Sequence, residues 1–237
     1  MDRNSNTYTF VFAIVMVIVV AAVLAFTATT LKPLQAENIR QEKMQNILST
    51  IGINVTRKEA SEQFSQFVKQ ELALKSDGSI NADVDAFKIE LMKETKKPKD
   101  DQAFPLYIAE KEGKTFYVIP LFGAGLWKEI WGYIALDSDK NTIIGASFDH
   151  AGETAGLGSN IKQRFFMDDF IGENLLDKNG DFKGITVAKG NADPKNNDKL
   201  DNEVDAIAGA TITGDGVTAM IKKDLKLYLP YFKNLKN

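Results

Sequence analysis

The sequence contains no cysteine and a single histidine, His150, among its 237 residues. The missing thiols exclude a disulfide, an iron–sulfur cluster, a thiolate metal site and a cysteine nucleophile within this chain. One histidine is too few for a multi-histidine metal centre, so we expect His150 to be structural and expect neither a metal site nor a catalytic residue. Excess basic charge is also missing, since the net charge is −3, and this disfavours a nucleic-acid partner.

Charged residues are missing from a long N-terminal interval between Arg3 and Lys32, which contains an unbroken apolar run from Phe10 to Phe26. As a helix, this interval is long enough to cross a hydrocarbon core of about 30 Å. A cleavable signal peptide has a shorter apolar region that ends at a small-x-small site, which Phe26 and the following threonines do not resemble. The sequence therefore predicts a retained transmembrane anchor over residues 1–31, while the basic residues on either side leave its orientation open.

Behind the anchor, the spacing of apolar residues changes from helical to alternating. Residues 32–100 are predicted to form a helical membrane-proximal region with helices at about 34–51 and 58–75. Residues 101–237 are predicted to form an α+β domain with an antiparallel sheet and flanking helices. Its expected elements are hairpins around 110–114 and 138–141, a short helix at 161–168, a strand at 185–188 and a helix from 215 to about 229.

Three segments rich in small residues lie between these elements. The bend at 123–127 ends in Trp127, which on general grounds is a core residue closing a sheet edge. The loop at 150–158 has three glycines within seven residues, which permit close approach of a ligand, although their spacing matches no Walker or dinucleotide motif. The turn at 205–213 precedes a helix whose N-terminus suits a phosphate. Alone, this turn is more typical of a simple helix cap, with Thr213 as the capping residue.

Together and in this order, the three segments resemble the C subunit of the sodium-translocating NADH:quinone reductase. The bend, followed by Gly132 to Leu136, is similar to a segment of that family. Glu153 to Gly158 resembles its Glu-Thr-Pro-Gly-Leu-Gly loop, and Asp205 to Thr211 resembles its Asp-x-x-Ser-Gly-Ala-Thr flavinylation motif. The single anchor and the length also match, so the resemblance covers nearly the whole chain.

Two positions depart from the family pattern. Ala208 stands where the family commonly has Ser or Thr, which removes a hydroxyl that orients the phosphate or is recognised during attachment. Ala155 stands where the family has Pro, which loosens a turn. Neither departure removes the acceptor oxygen.

The resemblance implies an FMN bound covalently, through its phosphate, to Thr211 by a separate flavin transferase. We expect Gly156 and Gly158 to let backbone amides approach the ring edge, and Leu157 and Trp127 to contact its faces. The full set of expected cofactor-binding residues is Thr211, Gly209, Ala210, Glu153, Thr154, Gly156, Leu157, Gly158, Trp127 and Thr213.

The function that the resemblance implies is that of an electron-carrying subunit of a sodium-pumping NADH:quinone oxidoreductase, a translocase. It would relay electrons between membrane subunits of that complex from a single-pass position in the bacterial inner membrane, with its large domain on the periplasmic side. The chain has no dinucleotide motif and no charge inside its predicted span, so it would neither oxidise NADH nor conduct sodium by itself.

Two other functions stay open at this point. One is the equivalent FMN subunit of an ion-translocating ferredoxin:NAD oxidoreductase, which shares the threonine motif, although Leu126 and Trp127 favour the quinone reductase. The other is an anchored, non-catalytic assembly domain that has lost its flavin, which the alanine at position 208 keeps open.

Overall fold

The computed structural model describes residue 3, residues 5–190 and residues 196–235. The chain divides into two compact units, Met1–Lys43 and Met44–Asn237. The first unit is the greater part of helix α1, Asn6–Thr50, and the apolar side chains of this helix from Phe10 to Ile39 are exposed. Among the described residues α1 is the one helix long and apolar enough to cross a membrane.

Polar groups inside the apolar part of α1 are satisfied within the helix itself. The hydroxyls of Thr27, Thr29 and Thr30 each donate to the carbonyl four residues earlier, at 2.8 Å. An α-helix also pairs its own backbone groups, which is the condition for spanning a hydrocarbon layer. These threonines therefore do not oppose the predicted anchor.

The second unit is built on a five-stranded antiparallel sheet in which each strand pairs with the next along the chain. Its strands are β1 Val68–Leu74, β2 Phe104–Lys111, β3 Lys114–Ala124, β4 Glu129–Leu136 and β5 Ile143–His150. A separate parallel pair consists of β6 Thr186–Val187 and β7 Glu203–Val204. The predicted α+β class, with an antiparallel sheet behind a long apolar helix, is confirmed.

Helices cover both faces of the five-stranded sheet. They are the C-terminal part of α1, α2 Arg57–Phe67, α3 Leu91–Glu94, α4 Arg164–Asp169, α5 Thr211–Leu225 and α6 Leu229–Asn234. Successive strand residues point to opposite faces, and accordingly the neighbours Val118 and Ile119 on β3 belong to different cores. Val118 packs in the core that contains Leu48 of α1, and Ile119 packs in the core that contains Val217 of α5.

Both predicted hairpins and the strand near 185–188 are present, and the short helix near 161–168 forms as a 3₁₀ turn at Gly158–Lys162 followed by α4. The second predicted helix, 58–75, is too long. It ends at Phe67, and the following residues form β1 because they pair with Phe104 to Ala109 of β2. Tertiary pairing has overridden the local helical pattern.

The predicted start of the last long helix, at residue 215, is also wrong. Helix α5 begins at Thr211, and the amide of Gly214 makes a hydrogen bond of 2.9 Å to the carbonyl of Ala210. Gly214 and Gly216 therefore lie inside the helix, where glycine is locally unfavourable. The threonine-bearing turn is continuous with the helix that it was expected to precede.

Candidate functional site

Three segments that are distant in sequence meet at one buried carboxylate, that of Glu153, which is 7% exposed. One oxygen, Oε1, accepts hydrogen bonds from the backbone amides of Trp127, at 2.9 Å, and Lys128, at 3.4 Å. The other, Oε2, accepts a hydrogen bond of 2.6 Å from Oγ1 of Thr213. Glu153 thus connects the bend after β3, the glycine loop after β5 and the first turn of α5.

The hydrogen bonds to Glu153 keep its side chain ionised. Burial alone would raise the pKa of this carboxyl, but the Thr213 hydroxyl and the amides of Trp127 and Lys128 outweigh burial and hold the pKa below its ordinary value of 4.5. An ionised carboxylate only accepts hydrogen bonds, so each donor is held by a charge-assisted bond. The amide of Glu153 itself donates to Nδ1 of His150 at 3.1 Å, which gives that histidine a structural role.

Glycine is required where the backbone passes closest to this carboxylate. A Cβ atom on Gly158 would lie 2.5 Å from both Oε2 of Glu153 and Oγ1 of Thr213, and one on Gly125 would lie 2.6 Å from Oε1. Gly156 has open space around it but a φ of 75°, so it is needed for its backbone conformation. The glycine pattern thus serves both close packing and an unusual loop path.

Helix α5 begins without a capping side chain. Gly209, with a φ of 70°, forms a turn in which the amide of Ala210 donates to the carbonyl of Ile207 at 3.0 Å. Ala210 is the N-cap residue and supplies no capping hydrogen bond. Within the described part of the chain, the amides of Thr211, Ile212 and Thr213 have no acceptor. Unpaired amide donors and the positive end of a helix dipole are features that favour an anion, and the start of α5 has both.

The two threonines of this turn have opposite environments. Thr211 is exposed at the first position of the helix, whereas Thr213 is 1% exposed and donates to Glu153. The interpretation of Thr213 as the N-cap is therefore wrong. It is the third residue of a helix that starts four residues earlier than predicted, and its hydroxyl bonds to another element of the fold.

Large apolar side chains are exposed on the segments that meet here. Their exposed fractions are 46% for Leu126, 66% for Trp127, 41% for Leu157 and 58% for Ile212. The expectation that Trp127 is a core residue is wrong, because its indole Nε1 donates to Oγ1 of Thr154 at 3.1 Å on the surface. Exposed apolar groups clustered in this way are typical of binding surfaces.

Sequence reasoning missed the residues that let α5 lie close to β3. A Cβ atom on Gly216 would lie 2.3 Å from the carbonyl oxygen of Ala124, and one on Gly123 would lie 2.8 Å from Cβ of Met220. The buried carboxylate of Asp224 accepts a hydrogen bond of 2.7 Å from the amide of Phe122. A glycine inside a helical pattern often marks close packing. The position of Gly216 in the predicted helix could therefore have indicated the close contact with β3.

The predicted site residues all lie on the three segments that meet at Glu153, but in two different roles. Glu153, Gly158, Ala210 and Thr213 are buried and support the surface from beneath. The exposed members, which a ligand would reach, are Thr211, Gly209, Thr154, Gly156, Leu157 and Trp127. Leu157 lies against the turn, since a Cβ atom on Gly209 would be 2.9 Å from its Cδ2.

Comparison with known proteins gives one consistent family. Residues 125–226 match the family described as FMN-binding domain. The chain is 30% identical over 240 residues to the C subunit of the Na(+)-translocating NADH-quinone reductase of Pseudomonas aeruginosa, covering 93% of this chain and 91% of that relative. It is 27% identical to the protein of the same name in Haemophilus ducreyi, covering 93% of this chain and 90% of that relative.

Two crystal structures are similar over most of the chain. For the C subunit of the Na(+)-translocating NADH-quinone reductase from Parabacteroides distasonis, the TM-score is 0.76 at 35% identity, covering 85% of this chain and 96% of that one. For NqrC from Shewanella oneidensis, the TM-score is 0.70 at 26% identity, covering 83% and 97%.

Proposed function

This chain belongs to the NqrC family, the C subunits of Na(+)-translocating NADH-quinone reductases, and from this premise we propose that it carries FMN covalently on Thr211 and relays electrons between membrane subunits of that translocase. The observation that carries the proposal is an exposed threonine hydroxyl at the uncapped start of a 15-residue helix. Neither of the two other functions has a specific observation in its favour.

A phosphodiester on Thr211 fits the start of α5. The diester carries one negative charge, and the amides of Thr211, Ile212 and Thr213 have no acceptor among the described residues. These donors, with the positive end of the helix dipole, stabilise an anion attached to the first helical residue. The turn at Gly209 leaves this position open to solvent.

Attachment is a substitution at phosphorus. Oγ1 of Thr211 attacks the phosphorus of an activated flavin in which the FMN phosphate is joined to a second phosphate as an anhydride. The new bond is Oγ1–P, the anhydride P–O bond breaks, and the leaving phosphate keeps the electron pair while the hydroxyl proton is released. The separate flavin transferase supplies the activated flavin, and the chain gains FMN less one water.

FMN, when bound, supplies a ring that takes up and gives back electrons. Leu157 and Trp127 offer exposed apolar surface for such a ring, and the hydrogen bond from Trp127 to Thr154 fixes the orientation of the indole. A ring held on this open surface would be accessible to other members of the complex for electron exchange. The covalent bond prevents its loss between transfers.

Helix α1 anchors the chain in the membrane, and we place the flavin domain on the periplasmic side of the bacterial inner membrane by analogy with the family. The partners are then the other subunits of the redox complex and, during maturation, the flavin transferase. The length and exposed apolar side chains of α1 support the membrane part of this proposal.

The test is flavin attachment in cells that contain the transferase, read by fluorescence of the denatured band and by intact mass. Thr211→Val is expected to abolish both signals, because it removes the acceptor oxygen. Thr211→Ser, which keeps a hydroxyl, is expected to retain the adduct, as is the control Thr95→Val on an exposed threonine outside the site. An adduct that survives in Thr211→Val would refute the assignment.

A further inference from the structure

Glu153 lies beneath the exposed surface of the site and is bonded to the segments that form it. It is 7% exposed, and its two carboxylate oxygens are occupied by Trp127 and Lys128 on one side and by Thr213 on the other. A side chain enclosed in this way offers almost no surface to a ligand. Its influence on the site must pass through the groups that it holds.

We propose that Glu153 is a positioning residue that acts through Thr213 to orient the first turn of α5, so that Thr211 faces outward and is ready for attachment. This inference rests on the proposed function. It gives Glu153 and Thr213 a different role from the ligand contacts expected from the family resemblance.

Helix geometry connects the two threonines. An α-helix has about 3.6 residues per turn, so two residues correspond to about 200° of rotation around the axis. When the bond of 2.6 Å to Glu153 holds Thr213 inward, Thr211 must point to the opposite side of the helix. The exposure of Thr211 and the burial of Thr213 agree with this rotation.

The backbone around the bond leaves little room for an alternative arrangement. A Cβ atom on Gly158 would lie 2.5 Å from both oxygens of the bond. On the other side of the carboxylate, a Cβ atom on Gly125 would lie 2.6 Å from Oε1. The pair therefore has a fixed separation, which is what positioning the helix start requires.

The chemistry of the bond favours a carboxylate specifically. The carboxylate accepts from two backbone amides with one oxygen and from a hydroxyl with the other. A glutamine would turn its NH₂ group either toward the amides, which are also donors, or toward Thr213, whose hydroxyl would then have to accept. Either arrangement replaces a charge-assisted hydrogen bond with a weaker contact.

The test compares rates of FMN attachment by purified transferase in the full chain, with thermal unfolding measured on the same samples. Thr213→Val, which has the same shape but no hydroxyl, is expected to attach FMN about 10- to 100-fold more slowly, as for loss of a hydrogen bond to a charged group. Thr213→Ser is expected to restore the rate to within about 2-fold of wild type, because it keeps the donor. Glu153→Gln is expected to be slower than wild type.

The double variant shows whether Glu153 acts through Thr213. If it does, the combination of Glu153→Gln and Thr213→Val is no slower than the slower single variant, because both changes break the same bond. If the double variant slows attachment by the product of the two single-variant factors, the proposal is overturned. A wild-type rate in Thr213→Val would also overturn it, as would a Thr213→Ser variant that is as slow as Thr213→Val. If Thr213→Val does not fold, Glu153→Gln decides, and a wild-type rate there overturns the proposal.

The outcome also separates this inference from the proposed function. An unlabelled wild-type chain would overturn the proposed function and the positioning role together. A labelled wild type with an equally fast Thr213→Val variant would overturn the positioning role alone. The visible circular dichroism of the attached flavin adds a spectroscopic signal, expected to change in Thr213→Val and to return in Thr213→Ser.

Discussion

Thr211 and Thr213 are the same residue type two positions apart, yet the helix gives them opposite roles. Thr211 is exposed, and Thr213 is buried against a carboxylate. The sequence motif predicted the acceptor through its family resemblance but did not predict this contrast. The predicted helix start, at residue 215, lies four residues after the true start at Thr211, and the Glu153 contact joins residues 60 positions apart, which no local pattern reveals.

At the same scale, Gly158→Ala is expected to damage both stability and flavin attachment. The added Cβ would lie 2.5 Å from Oε2 of Glu153 and from Oγ1 of Thr213, so their bond must open. We expect a loss of about 1–3 kcal/mol in the free energy of unfolding, measured by denaturant titration. The matched control is Gly190→Ala, where no atom of the described residues, apart from those next to Gly190 in the chain, lies within 4 Å of the new Cβ. Equal stability of the two variants would contradict the described packing.

At the scale of elements, the hairpins could be predicted because alternating apolar residues flank turns rich in polar residues and glycine. Strand β1 could not, since its residues continue a helical pattern and become a strand only by pairing with β2. The glycines within α5 show tertiary packing of the same kind. They are unfavourable in an isolated helix but allow contact with β3, as the carbonyl of Ala124 next to Gly216 shows.

The segment after α4 contains a pH-sensitive contact with the segment before β7. Glu173 is fully buried with its carboxylate 3.5 Å from Nζ of Lys199. Burial raises its pKa to about 7 despite Lys199, and Asp201 adds to the rise. The folded state therefore holds this proton more tightly than the unfolded state, whose ordinary pKa is 4.5. The stabilisation that protonated Glu173 gives the folded state is therefore complete below pH 4.5, and it is lost as the pH rises through about 7.

Glu173→Gln removes this titration. Wild type loses stability as the pH rises from 5 to 8, and the variant is expected not to show this loss. The difference between their free energies of unfolding should therefore shift in favour of the variant by up to about 3 kcal/mol. Denaturant titrations at both pH values measure the change. Glu62→Gln, at an exposed position on α2, is the control and should keep the wild-type pH dependence. Parallel pH curves for Glu173→Gln and wild type would contradict the burial of this carboxylate.

At the scale of the whole molecule, the long apolar helix and the α+β class could be predicted because both depend on patterns that extend over many residues. The boundary between the two units was harder to predict from the sequence, because helix α1 continues without a break from the apolar interval into residues of the domain core. Met44, Ile47, Leu48 and Ile51 are buried with residues of the sheet. The end of the long first helix is therefore part of the folded domain.

This continuity predicts how the chain responds to truncation. A fragment of residues 40–237 is expected to fold and to be soluble without detergent, since it keeps the core residues of α1 and lacks the apolar run. A fragment of residues 53–237 loses four buried apolar side chains and is expected to be several kcal/mol less stable, as for large deletions from a core. Thermal unfolding of the two fragments measures this difference. Equal unfolding temperatures would show that the end of α1 contributes nothing.

The most direct test of covalent attachment at Thr211 is tandem mass spectrometry of the chain purified from its native membrane. We predict that the peptide containing Thr211 carries one FMN less one water, bonded to that threonine through phosphate. An unmodified chain from the native source, or an adduct on any other residue, would contradict this assignment.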